Sequence, residues 1–138
     1  MNAPHRKILL VDDDALVQRI YGRQLEQAGY HVLSAANGEE ALEIAGRESP
    51  ELIILDIDLP EKGGLAVLRE LKGKEKTKGI QVIVITCVAD YRLCREAARG
   101  SGATAFMTKP FSRAQLMTEV RKALGSEESS SGDQVAAS

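Results

Sequence analysis

Leu52-Ile53-Ile54-Leu55-Asp56-Ile57-Asp58-Leu59-Pro60 decides the fold. Four consecutive aliphatic residues are too few for a helix and suit a strand buried on both faces, as in a parallel sheet. Asp56 follows them directly, then a second carboxylate at Asp58, then Pro60, which favours a turn. An aspartate at the carboxyl end of a central parallel strand lies where open α/β sheets place their ligand sites. Alone, such an aspartate is more often a cap or a loop residue. Other strands of this chain also end in polar groups, and that shifts the reading.

Upstream, Lys7-Ile8-Leu9-Leu10-Val11 is a second buried strand, followed by Asp12, Asp13 and Asp14. One of these aspartates caps the next helix, whose apolar stripe is expected from Leu16, Ile20 and Leu25 with Val17 and Ala28. Gly29 suits its C′ position. His31 to Ala35 is a short strand, and Asn37 with Glu40 resembles a capping box opening a helix that Ser49-Pro50 closes. Downstream, Gly63-Gly64 marks a flexible loop before a helix carrying Leu65, Leu68 and Leu71. The lysines at 72, 74, 76 and 78 lack interleaved aromatics and read as a solvated connection. Gln81 to Ile85 is a third apolar strand ending at Thr86, and a helix follows around Arg92 to Arg99. Gly100-Ser101-Gly102 follows a helix, not a strand, so it reads as a helix end and not a nucleotide loop. Ala105 to Thr108 forms the last strand before Lys109-Pro110, and Ser112 with Gln115 caps a helix striped by Leu116, Val120 and Leu124. Five strands alternating with five helices imply a parallel sheet covered on both faces by right-handed crossovers.

The 138 residues suit one domain, with 43% hydrophobic and 28% charged residues. A lead-in over residues 1–6, a domain over 7–124 and a disordered Ser- and Glu-rich tail over 125–138 are expected. A net charge of −2 makes no electrostatic case for nucleic acid or an anionic membrane. No apolar run approaches the ~20 residues of a membrane helix, and no signal peptide is evident, so a cytoplasmic location is expected. Cys87 and Cys94 fit no disulfide framework and read as reduced, buried thiols, while His5 and His31 are too scattered for zinc.

In a parallel sheet, Asp12 and Asp13, Asp56, Thr86 and Lys109 all fall on one edge. Three carboxylates roughly 5 Å apart repel by about 3 kcal/mol per ionised pair at an effective dielectric near 20. Lys109 offsets part of this, and a hard cation such as Mg²⁺ would offset the rest. A metal, a lysine and a hydroxyl around one carboxylate suit a transferring phosphoryl group, with Asp56 as nucleophile.

Val11-Asp12-Asp13 after a strand, Asp56 with Pro60 four residues on, Thr86 ending a strand, and Lys109-Pro110-Phe111 together resemble the receiver domain of two-component response regulators. The resemblance runs from about Lys7 to Leu124. It implies a flavodoxin-like doubly wound (βα)5 sandwich of strand order 2-1-3-4-5. It further implies that Asp56 accepts phosphate from a histidine kinase or phosphotransfer protein. Asp12 and Asp13 would hold Mg²⁺ together with Asp56 and the backbone carbonyl of Asp58. Thr86 and Lys109 would contact the phosphoryl group, and Phe106 would take the family's aromatic switch position. Lys109-Pro110 is expected to be cis, turning the chain sharply while aiming the lysine toward Asp56.

Three departures stand out: Gly63 where the family often carries an acid, Cys87 in place of a smaller residue, and one extra residue between Thr86 and Lys109. The last predicts a shifted or irregular fourth helix. Leu55-Asp56-Ile57-Asp58 also resembles the nucleophile motif of haloacid-dehalogenase-type phosphatases. That family needs its metal-binding acids after the lysine, whereas here they precede the nucleophile. A degenerate receiver acting as a scaffold is the other alternative, opposed by the full set of chemical residues. The tail is too short and polar for a helix-turn-helix. The expectation is therefore a single-domain, chemotaxis-type or phosphorelay regulator, not an enzyme turning over an external substrate. Its output to a separate effector protein would run through the face formed by Tyr91 to Arg99, Phe106 and the last helix.

Overall fold

The computed structural model describes residues 6–87 and 91–124. Strands β1 (Lys7–Val11), β2 (His31–Ala35), β3 (Leu52–Asp56), β4 (Gln81–Cys87) and β5 (Ala105–Lys109) form one sheet. Between and after them run α1 (Ala15–Gln27), α2 (Gly38–Glu48), α3 (Gly64–Lys72), α4 (Tyr91–Gly100) and α5 (Arg113–Ala123). Every pairing is parallel and the order is β2-β1-β3-β4-β5, the flavodoxin-like arrangement expected.

The aliphatic run of β3 lies at the centre of the sheet, with Leu52 to Leu55 fully buried. Successive side chains on a strand alternate between faces. Leu9, Val11, Ile53, Leu55, Val82 and Val84 accordingly pack with Val67, Leu68 and Leu71 of α3, while Ile8, Leu10, Ile54, Ile83 and Ile85 pack with Leu25, Leu116 and Val120. Helices on both faces leave the carboxyl ends of all five strands on one open edge.

The face assigned to α1 needs correction. Leu16 and Ile20 are 61% and 46% exposed, and Ala28 is exposed as well. At about 100° per residue, Leu16 and Leu25 stand on opposite sides of the helix, so they cannot share a stripe. The inward side is formed by Tyr21, Gly22 and Leu25, and Tyr21 stacks on Phe111 with ring centroids 4.5 Å apart.

The caps follow their expected chemistry with one shift. Asp14 caps α1 through Leu16 N and Val17 N, Gly29 takes the left-handed conformation, and Ser112 and Gln115 close a reciprocal capping box. Asn37 accepts from Glu40 N, but the Glu40 carboxylate reaches Ala36 N in place of Asn37 N. Lys74, Lys76 and Lys78 are exposed as expected, whereas Lys72 is tied to the carbonyls of Lys78 and Ile80. β4 extends past its apolar run, pairing Thr86 with Thr108 and Cys87 with Lys109. α4 is a continuous helix from Tyr91. The readings of residues 1–5, the linkage at 88–90, the tail from 125, and the Cys87, Cys94 and Arg95 side chains lie outside what is described. No helix among the described residues is long and apolar enough to cross a membrane.

Candidate functional site

The register brings the site together. Val11 pairs with Leu55 and Asp56 with Ile85, so Asp12, Asp56 and Thr86 follow from adjacent strand ends. Asp12, Asp56 and Thr86 are 2%, 3% and 1% exposed, in contrast to Asp13 and Asp58, which face solvent. The Lys109 Nζ donates to Asp12 Oδ2 at 3.1 Å and to Asp56 Oδ2 at 3.0 Å. The Lys109-Pro110 bond is cis, as expected.

Both buried aspartates use the same local device. Asp12 Oδ1 accepts from Asp14 N, and Asp56 Oδ1 accepts from Asp58 N, each at 2.9 Å. An aspartate bonding the backbone two residues on is a turn former, which is why each strand ends where its carboxylate begins to work. One oxygen of each side chain is thereby held by its own loop and the other by Lys109. Asp58 enters this geometry through its backbone N–H.

Burial raises the Asp12 pKa, and the Asp56 charge adds to it, against the opposing pull of Asp14 N–H and Lys109. For Lys109, burial pulls downward, but the hydrogen bonds it donates to Asp56 and Asp12, with the charges of those carboxylates, together outweigh it and hold the ammonium charged. Carboxylate oxygens of Asp12, Asp13 and Asp56 lie within 4.8 Å of one another. Three carboxylates against one ammonium leave net negative charge, and an all-oxygen donor set is what Mg²⁺ prefers. These residues fit that ion.

Thr86 and Phe106 share a face of the sheet, because Val84 pairs with Phe106 and Thr86 with Thr108. Phe106 is half-buried and lines a cavity of about 610 Å³ with Phe111, Ala114 and Thr118.

Two residues beyond those read from the sequence shape the site, and a third, Gly64, does so in another way than expected. Gln18 donates to the carbonyls of Asp12 and Ala35. The signal was present, since Gln18 is seven residues before Leu25 and thus on the same inward side of α1. Lys62 pairs with Glu70 and approaches Glu39 at 3.9 Å, strapping the loop after β3 to α3 and α2. The loop at Gly63, read from the sequence as flexible, is thereby tied to two helices. Gly64, read as loop flexibility, is a packing residue. A Cβ there would lie 2.5 Å from the Asp56 carbonyl oxygen and 2.6 Å from Ile57 Cα. Gly64→Ala is expected to lower stability by about 2–3 kcal/mol, because backbone must shift to admit the methyl. Gly63→Ala meets nothing within 4 Å and should stay within about 0.5 kcal/mol of wild type. Urea unfolding of the pair checks this, and equal midpoints would refute it.

A doubly wound parallel sheet with buried acids and a lysine at its carboxyl edge defines a flavodoxin-like protein with its ligand site at that edge. The response regulator receiver domain model matches residues 8–121, and the chain belongs to that family. The probable transcriptional regulator ycf27 of Porphyridium aerugineum is 39% identical over 118 residues, covering 86% of this chain and 48% of the relative. The polar-differentiation response regulator DivK of Brucella anthropi is 32% identical over 120 residues, covering 87% of this chain and 97% of DivK. This chain thus spans about half the length of the ycf27 relatives and nearly all of DivK. Among solved structures, the chemotaxis protein CheY4 of Vibrio cholerae superposes with a TM-score of 0.83 at 26% identity, covering 88% of this chain and all of that one. The receiver domain of a Pseudomonas aeruginosa sensor histidine kinase, with magnesium coordinated in its active site cleft, gives 0.81 at 29% identity, covering 88% and 99%. The comparisons lend no support to the phosphatase or scaffold alternatives.

Proposed function

We propose that this receiver domain is a phosphoacceptor that takes a phosphoryl group on Asp56 from the phosphohistidine of a histidine kinase or phosphotransfer protein. The observation that carries this reading is the Lys109 ammonium bridging two buried carboxylates at the carboxyl edge of the sheet. An Asp56 oxygen attacks phosphorus, the O–P bond forms and the N–P bond breaks. The imidazole nitrogen leaves with the bonding pair and takes a proton from solvent. Asp12, Asp13, Asp56 and the Asp58 carbonyl would hold Mg²⁺, which would supply charge neutralisation for the phosphoryl oxygens.

Lys109 already lies at hydrogen-bond distance from Asp56, so it needs only a small movement to meet a phosphoryl oxygen. Thr86, on the adjacent strand, donates its hydroxyl to another. Hydrolysis of the acyl phosphate returns the resting state, so the domain turns over no external substrate and acts as a switch in the cytoplasm. Drawing Thr86 toward the phosphoryl group alters the packing on the face it shares with Phe106, which passes the change to the α4–β5–α5 surface and a downstream effector protein.

The test is incubation with acetyl phosphate and Mg²⁺, followed by mass analysis. One hydroxylamine-labile phosphoryl group, absent when the metal is chelated, is expected. No adduct under saturating donor and Mg²⁺ would reject the proposal.

A further inference from the structure

We propose that Gln18 is a positioning residue for the acidic site, its carboxamide fixing the Asp12–Asp13 peptide and so setting where Asp13 stands; this rests on the Mg²⁺ reading above. Gln18 Nε2 donates to Asp12 O at 2.8 Å and to Ala35 O at 2.6 Å. Both acceptors are carbonyls, so only the NH₂ end of the amide can face them, and both of its hydrogens are used. Ala35 O also accepts from Asp12 N at 3.1 Å, one residue beyond the β1–β2 ladder. Asp12 is therefore gripped at its N–H and at its carbonyl by bonds that converge on one oxygen and one side chain.

The carbonyl matters because it belongs to the planar unit joining Asp12 to Asp13. Anchoring that oxygen stops the plane from rotating and sets the direction in which the Asp13 Cα–Cβ bond departs. Asp12 and Asp56 do not depend on this help, since each carboxylate is held by its own turn and by Lys109. Asp13 is exposed, and none of the described residues donates a hydrogen bond to its carboxylate. Its approach to the other two acids thus rests on the backbone. Partners outside the ligand set that orient ligands are typically worth 10–100-fold in metal affinity. A side chain acting through one backbone oxygen belongs at the lower end.

The experiment measures Mg²⁺ affinity by calorimetry on the full chain for wild type, Gln18→Met and Thr77→Val. Methionine keeps the length of glutamine and removes both donors. Thr77→Val deletes a buried hydrogen bond, Thr77 Oγ1 to Leu71 O, in the connection between α3 and β4 at the opposite edge of the sheet. Gln18→Met is expected to raise the Mg²⁺ Kd about tenfold. It should raise the Mg²⁺ concentration for half-maximal labelling by acetyl phosphate by the same factor, with the rate at saturating Mg²⁺ unchanged. Thr77→Val should lower the unfolding midpoint and leave the Kd alone. Wild-type affinity in Gln18→Met, or equal shifts in both variants, would overturn the role of Gln18. Absence of Mg²⁺ binding by wild type would instead remove the reading beneath it. Should Gln18→Met fail to fold, the wild-type Gln18 carboxamide protons decide by NMR. Slow exchange and a shift on adding Mg²⁺ support the proposal, and free exchange with no shift overturns it.

Discussion

Asp56→Asn is expected to lose hydroxylamine-labile phosphorylation entirely, down to the level seen without donor. Five aspartates lie at this edge; Asp14 is exposed and caps α1, and the structure distinguishes the other four. Asp13 and Asp58 face solvent, and Lys109 donates to neither of their carboxylates. Asp12 is buried, but the strand beside it ends in Ala35, which carries no hydroxyl, whereas the strand beside Asp56 carries Thr86 at its carboxyl end. Asp56 alone combines Lys109 at 3.0 Å with a place on the strand beside β4, where Thr86 follows its partner Ile85. Asparagine keeps the shape and an oxygen for the Asp58 N–H, so the fold should survive while the nucleophile is gone. Asp12→Asn, by contrast, should slow labelling by weakening Mg²⁺ but leave the modified position at Asp56. Peptide mapping after borohydride trapping separates the two. A wild-type rate of labelling in Asp56→Asn would disprove the assignment.

The topology and the edge on which chemistry gathers were legible because each central strand is an unbroken aliphatic run ending in a polar residue. Nothing competes with that pattern: Lys7–Val11, Leu52–Asp56 and Gln81–Cys87 leave helix formation no amphipathic face to use. The Ser112 cap, and a cap from one of the three aspartates after β1, were legible for a similar reason, being interactions within three residues along the chain. What escaped depended on direction and on contacts distant in sequence. The α1 stripe was misassigned because hydrophobicity was counted without the helical angle, which sets Leu16 opposite Leu25. Gly64 was read from its conformational freedom. Its actual constraint is the approach of α3 to the Asp56–Ile57 backbone, which composition does not encode. Lys62 and Gln18 likewise act on backbone or side chains of other elements. The chemical groups could be read from the sequence; the parts that aim them needed coordinates.

Lys109→Met should lower the unfolding free energy by about 2 kcal/mol in metal-free buffer at neutral pH, with part of the loss restored by Mg²⁺. The Asp12 and Asp56 side chains are 3% and 4% exposed, and the ammonium is the one cation that Asp12 Oδ2 and Asp56 Oδ2 share among the described residues. Removing one partner from a buried ion pair costs about 3–5 kcal/mol, because the remaining charge stays desolvated. Lys109 is 30% exposed, so solvent screening reduces that figure. The two carboxylates have a further outlet, since one can take up a proton. Asp12 is the candidate, its pKa being raised already by burial. A carboxyl whose folded pKa lies above its unfolded value favours folding at low pH and loses that contribution as pH rises through the folded pKa. The deficit of the variant should therefore be smallest in acid and grow toward neutrality. Mg²⁺ bound by the native acids, and not by the unfolded chain, would raise the midpoint of the variant. Urea unfolding at several pH values, with and without Mg²⁺, reads all three effects. A variant as stable as wild type at pH 7 without metal would show that Lys109 is not what holds these two carboxylates together.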